Sequence, residues 1–199
     1  MIGKVVGRMS DTIIIESRLL HGKNKPSLEA VIKLCGAEAL DEILELQNRV
    51  HYAMKNRAWF AYTSRTELES AFGRGAPAVA VISGKRMIAF AYLIFDPDSS
   101  QSLVKYSDFD YTPYLGGDCV LDTVFVDPDF VGYGLQSVLI EILTSLALEN
   151  GKKSVWATVH PDNIFSSRNF VKNGFKKANS SPVEKYGGVR NVYFKSTDN

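Results

Sequence analysis

Residues 127 to 139, DPDFVGYGLQSVL, bring together the residue types of an anion site. Asp127-Pro128-Asp129 opens a turn, and Gly132 and Gly134 follow it. Leu135, Val138, Leu139, Ile142, Leu143 and Leu146 then recur at helical spacing. The stretch before the turn, VLDTVFV, is rich in β-branched residues and reads as a strand. Glycine has no Cβ, so backbone can close around a ligand there. The amides that open a helix have no intrahelical partner, and with the helix dipole they face an anion. A pyrophosphate meets that need at Val131, Gly132, Tyr133, Gly134, Leu135, Gln136 and Ser137. The plainer alternative is a tight turn in which glycine only permits a positive φ. A dinucleotide fingerprint is excluded because Ser137 stands at its third glycine, and the Walker Gly-Lys-Ser/Thr run is missing.

Two titratable residues flank this loop in the order of the chain, one on the strand before it and one after the next strand. Asp122 lies on the preceding strand, at the parity of Val124 and Val126. A carboxylate fixed there could accept a proton, and burial would raise its pKa towards a useful range. The competing role for Asp122 is an ion pair with a neighbouring Lys or Arg, or a solvated place at the start of the strand. His160 follows the apolar run SVWATV and could relay a proton through water. Its competing role is a hydrogen bond within its own turn. His51 falls on an apolar helix stripe as a packing or surface residue, and His21 sits in a polar break.

The elements that must hold these residues follow from pattern. TIIIESRLL and LEAVIKLCG read as strands around the polar break HGKNKPS. Leu40, Ile43, Leu44, Gln47, Val50 and Met54 give a helix, and Ser64 with Glu67 forms a capping box for a second. PAVAVIS and RMIAFAYLIF form a hairpin about Gly84. Residues 96–117 form a long loop, then CVLDTVFV a strand. One helix ends at Asn150-Gly151 and another at Asn173-Gly174. SVWATV is a buried strand, and a Gly-Gly turn precedes a last strand. The result is an α+β chain: a strand or arm over residues 1–27 and one domain over 28–199.

The chain has 199 residues, 45% hydrophobic and 23% charged, which suffices for a substantial core. A net charge of +1 offers no bulk field for nucleic acid or an anionic membrane. No apolar run is long enough to span a bilayer, and no signal-peptide pattern opens the chain. The cysteines, Cys35 and Cys119, stand far apart with no CxxC spacing, so no metal site or disulfide framework is expected. The expected location is the cytoplasm.

A second motif changes the weight of the glycine loop. NIFSSRNFVKNGF, residues 163 to 175, lies one helix and one strand beyond it. Together the two stretches resemble the GNAT superfamily of N-acetyltransferases, over about residues 28 to 195. The family's loop, Arg/Gln-x-x-Gly-x-Gly/Ala after a V-x-P turn, stands here as Asp129-Phe130-Val131-Gly132-Tyr133-Gly134. Asn163, Ser166, Phe170, Lys172, Gly174 and Phe175 fall in register with its later helix. The resemblance implies a single GNAT-like domain with a mixed sheet of six to seven strands flanked by four helices. It implies acetyl-CoA, or another acyl-CoA, as donor and transfer to a primary amine; small amine, antibiotic, amino acid and protein N-terminus stay open as acceptors, with a small molecule favoured over a protein. The edge at Val124, Phe125 and Val126 would pair with the pantetheine arm, an amide near Val126 would polarise the carbonyl, and Asn163 and Phe170 would line the thiol end. Asp122 matches an acidic residue of some polyamine-type members. Acceptor contacts would come from Trp59, Phe60 and Tyr62, and from Tyr106, Asp108, Phe109, Asp110, Tyr111 and Tyr114, unless the latter only pack on the domain. Arg168 and Lys172 read as surface charges. A homodimer is compatible with the family.

Three departures stand out. Asp129 replaces a donor with an acid. Gln136 is larger than usual at its position. Phe170 replaces a tyrosine and cannot protonate a departing thiolate, although a thiol of pKa about 8.5 can leave as its anion. The alternatives left open are a CoA-binding module without turnover and an interaction domain without ligand.

Overall fold

The computed structural model describes residues 7–9 and 12–197. Residues 1–6 and 10–11 of the N-terminal segment lie outside them. The strands are β1 (Gly7–Met9), β2 (Thr12–Leu20), β3 (Leu28–Cys35), β4 (Ala78–Ser83), β5 (Arg86–Ile94), β6 (Asp118–Val126), β7 (Ser154–Val159), β8 (Lys176–Val183) and β9 (Gly188–Ser196). They form one sheet in the order β1-β2-β3-β4-β5-β6-β7-β9-β8. Every pairing is antiparallel except β6 with β7. That parallel pair requires a crossover, and α3 (Leu135–Glu149) supplies it.

The sheet is covered on both faces, which explains the continuous apolar runs of β4 and β5. Leu40, Ile43, Leu46 and Val50 of α1 (Leu40–Ala53) pack on one face with Leu68 and Ala71 of α2 (Arg65–Gly73). Leu135, Leu139, Ile142, Leu143 and Ala147 of α3 pack on the other, with Phe170 of α4 (Ile164–Lys172). The Ser64–Glu67 capping box opens α2 as the sequence implies.

Among the described residues the α+β class and the four α-helices match expectation, whereas the sheet has nine strands rather than six to seven. The extra ones carry little apolar signal. β1 is three residues long, and β8, KKANSSPV, buries only Ala178 and Val183. Both lie at the edges of the sheet, where polar residues and a proline such as Pro182 are tolerated. No helix among the described residues is long and apolar enough to cross a membrane.

Candidate active site

The chemistry converges where β6 and β7 part. Their parallel pairing covers only Asp118 with Ser154, Cys119 with Val155 and Val120 with Trp156. Beyond Val120, β6 continues along β5 to Val126, while β7 follows β9 to Val159. The edge of β6 that faces β7 is therefore unpaired from Leu121 onward, and a cleft opens in the sheet. Asp122, Val124, Phe125, His160, Asn163 and Phe170, six of the residues singled out from sequence, line it together. Trp59 and Phe60 form another wall, with Phe60 stacked on Phe125 at a centroid distance of 5.2 Å.

The glycine loop follows directly from the end of β6. Gly132 and Gly134 have φ of 99° and 73°, conformations that favour glycine. Gly134 is the N-cap of α3, and no side chain caps that helix. An added Cβ at Gly134 would meet nothing within 4 Å, so the space in front of the helix is open. Gln136 does not face that space. Its amide donates to Ser166 Oγ (2.8 Å) and accepts from Asn169 Nδ2 (2.6 Å), which fastens the first turn of α3 to α4 beside the cleft.

The acids of the loop are neutralised. Asp127, 1% exposed, accepts from Arg49 Nε (2.8 Å) and an Arg86 Nη (2.7 Å), and its other oxygen accepts from the Asp129 amide (3.1 Å). Asp129, the acid in place of a donor, pairs with the same Arg86 at 3.0 Å. Lys25, from the polar break before β3, donates to the Asp129 carbonyl (3.2 Å) and lies over the Tyr133 ring at 5.5 Å. The Tyr133 hydroxyl donates to the Pro26 carbonyl (2.8 Å). A cation thus reaches the loop from a distant part of the sequence.

Asp122 sits at a β-bulge, and this changes its direction. Tyr92 pairs with Thr123 and Leu93 with Leu121, which leaves Asp122 as the extra residue on β6. Val124 and Val126 pack on the α3 face, whereas Asp122 turns to the α1–α2 face with Thr123. The sequence parity that placed it beside Val124 and Val126 fails for this reason. Its Oδ2 accepts from the Tyr92 hydroxyl (2.7 Å) and its Oδ1 from Lys185 Nζ (2.6 Å). Burial alone would lower the Lys185 pKa, but the charge and hydrogen bond of Asp122, together with Tyr186 and Glu67, raise it overall. Burial, with the Asp122 charge, also raises the Tyr92 phenol.

His160 accepts at Nδ1 from the Asp162 amide (3.2 Å), and Asn163 accepts at Oδ1 from the Ser166 amide (3.1 Å) as N-cap of α4. Phe170 is 3% exposed and serves core and cleft at once, against Phe175 (5.1 Å) and Tyr193 (5.7 Å). Among the residues that line the cleft, Tyr186 is the only phenol, and burial followed by the Asp122 charge raises its pKa. Arg190 completes the wall with one Nη donating to the Ala58 carbonyl (3.2 Å) and the guanidinium 4.9 Å from the Tyr186 ring.

The aromatics of the 96–117 loop lie elsewhere. Phe109 stacks on Trp156 (6.0 Å), Tyr114 meets Phe194 edge-on (4.9 Å), and Tyr106 and Tyr111 pack into the core of the α1–α2 face. None of them lines the cleft. Tyr62 is exposed and donates to Asn48 Oδ1 (3.2 Å). Sequence reasoning missed Tyr186, Arg190, Lys185 and Lys25, because their relation to the cleft depends on strand pairing and on a loop that folds back.

A family model described as the acetyltransferase (GNAT) family matches residues 40–175. The chain belongs to that family. Solved structures share the fold. An N-acetyltransferase from Staphylococcus aureus is 19% identical with a TM-score of 0.63, over 85% of this chain and 99% of that one. A ribosomal-protein-alanine N-acetyltransferase from Brucella melitensis is 16% identical with a TM-score of 0.61, over 83% and 98%. A phosphinothricin acetyltransferase from Sinorhizobium meliloti, in complex with acetyl-CoA, is 16% identical with a TM-score of 0.61, over 84% and 88%. No curated protein matches the chain in sequence.

Proposed function

We propose that the chain moves an acetyl group from acetyl-CoA to a primary amine of a small molecule by direct transfer. The observation that carries this is the parting of β6 and β7 in front of an uncapped helix with two left-handed glycines. The pyrophosphate would lie on the amides from Gly132 to Ser137, with Val131 beside it and Lys25 supplying the nearby cation. The pantetheine arm would add to the edge at Val124, Phe125 and Val126, and Asn163 and Phe170 would line its thiol end.

Transfer requires four things of these residues. The neutral amine nitrogen attacks the thioester carbon and a C–N bond forms. An amide of β6 near Val126 holds the oxyanion. The C–S bond breaks and sulfur leaves as thiolate, since Phe170 has no proton to give; Tyr186 is the phenol within the cleft. The nitrogen proton passes to Asp122, whose charge Lys185 and Tyr92 already share, or through water to His160. An acyl-cysteine route has no support, because burial pushes both thiols up to about 12. A homodimer remains part of the proposal through the family alone. Calorimetric titration with acetyl-CoA tests donor binding. Thiol release across a panel of primary amines tests transfer, and absence of both would remove the proposal.

A further inference from the structure

We propose that the amine acceptor also carries a carboxylate, which Arg190 and Trp59 hold within the cleft; this rests on the acyltransferase assignment above. Two N–H donors on the cleft wall are buried with no hydrogen-bond partner among the described residues: Arg190 Nε and Trp59 Nε1. They belong to one corner, because Arg190 donates to the carbonyl of Ala58, beside Trp59. Arg190 is 7% exposed.

The charges show what is missing. Lys185 is matched by Asp122 at 2.6 Å. Arg190 has no carboxylate partner among the described residues, and its other contact is the face of Tyr186. A buried charge without a counter-ion is costly, and so is a buried donor left unmade. Burial accordingly lowers the Arg190 pKa. A ligand anion removes both costs. A planar guanidinium with its Nε unpaired suits a carboxylate, and the indole N–H of Trp59 adds a second donor from an independent element. The donor's phosphates do not fill this role, since the glycine loop follows the end of β6 at Val126 and none of Gly132 to Ser137 lines the cleft wall that holds Arg190 and Trp59.

The test uses matched acceptors: an amino acid, its amide and its decarboxylated amine, for several side chains, with acetyl-CoA and thiol release. Each carboxylate-bearing member is expected to have kcat/KM at least about tenfold above its two partners, chiefly through KM, as suits hydrogen bonds to a charged group. Arg190→Gln is expected to shrink that ratio by about tenfold, and Trp59→Phe, which removes one donor and keeps the ring, by severalfold. Circular dichroism checks that both variants fold. A ratio near one in the native protein, or a ratio unchanged in the folded variants, overturns the proposal while the acyltransferase assignment stands. If no amine is acetylated, that assignment fails by itself, and calorimetry with the same compounds decides the carboxylate site. Carboxylate-dependent binding that weakens in Arg190→Gln supports it, and no carboxylate-dependent binding overturns it.

Discussion

Replacing Asp127 by alanine strikes the point where the fold and the donor loop are joined. The carboxylate is 1% exposed and binds Arg49, Arg86 and the Asp129 amide. Removing one member of a fully buried ion pair costs about 3–5 kcal/mol. Here the arginine side chains are 32% and 42% exposed, so water compensates part of the loss and we expect about 2–3 kcal/mol. In a chain of this size each kcal/mol moves the melting temperature by about 2–4 °C, so the fall is expected to be about 4–12 °C. Freed from Asp127, Arg86 and the Asp129 amide no longer fix the start of the glycine loop, and acetyl-CoA should bind at least about tenfold more weakly. Scanning calorimetry and titration calorimetry on the same preparation measure the two effects. A variant that melts with the native protein and binds acetyl-CoA equally well would refute the proposed link between the buried acid and the loop.

Other substitutions separate the roles of cleft residues. Gly134→Val forces a β-branched residue to a φ of 73° and fills open space before α3. It should abolish detectable acetyl-CoA binding, and Gly134→Asn, which tolerates the left-handed region, should keep the fold and lose part of the affinity. Unchanged affinity in both would remove the loop from the donor site. Asp122→Asn should lower kcat by about a hundredfold at neutral pH, with partial recovery towards pH ~10 as more amine is neutral; a normal kcat across that range would make Asp122 purely structural. Lys185, with its pKa raised, contributes to stability below the ordinary lysine value of about 10.4 and loses that contribution only as pH rises through the raised value. The melting difference between the native protein and Lys185→Gln should therefore stay flat from pH ~7 to ~9. Phe170→Tyr should fold and raise turnover by placing a hydroxyl in the cleft. A fall of more than about 4 °C in melting temperature would instead put that hydroxyl among Phe175 and Tyr193.

Much of the frame was legible in the sequence because strong periods and caps coincide with elements. The i, i+3, i+4 stripe of α1, the Ser64–Glu67 box and the glycines after α3 and α4 all mark real boundaries. What escaped had no local signature. β8 is a polar edge strand. The bulge that redirects Asp122 arises from its pairing with β5, and alternation within β6 gives no sign of it. Lys25, Lys185 and Arg190 reach the site from residues far along the chain, so their value depends on tertiary contacts. For the 96–117 loop the sequence left two roles open, acceptor contact or packing on the domain, and Phe109 and Tyr114 pack on Trp156 and Phe194.

The central claim is that the cleft between β6 and β7 delivers an acetyl group from acetyl-CoA to an amine. Its most direct test is to incubate the native protein and Gly134→Val with acetyl-CoA and the panel of amino acids and amines, following free thiol and acetylated amine by mass spectrometry. The account predicts that the native protein releases thiol and forms N-acetylated product one for one, and that the variant does neither. Thiol release without acetylated amine, or equal product from the variant, would contradict it.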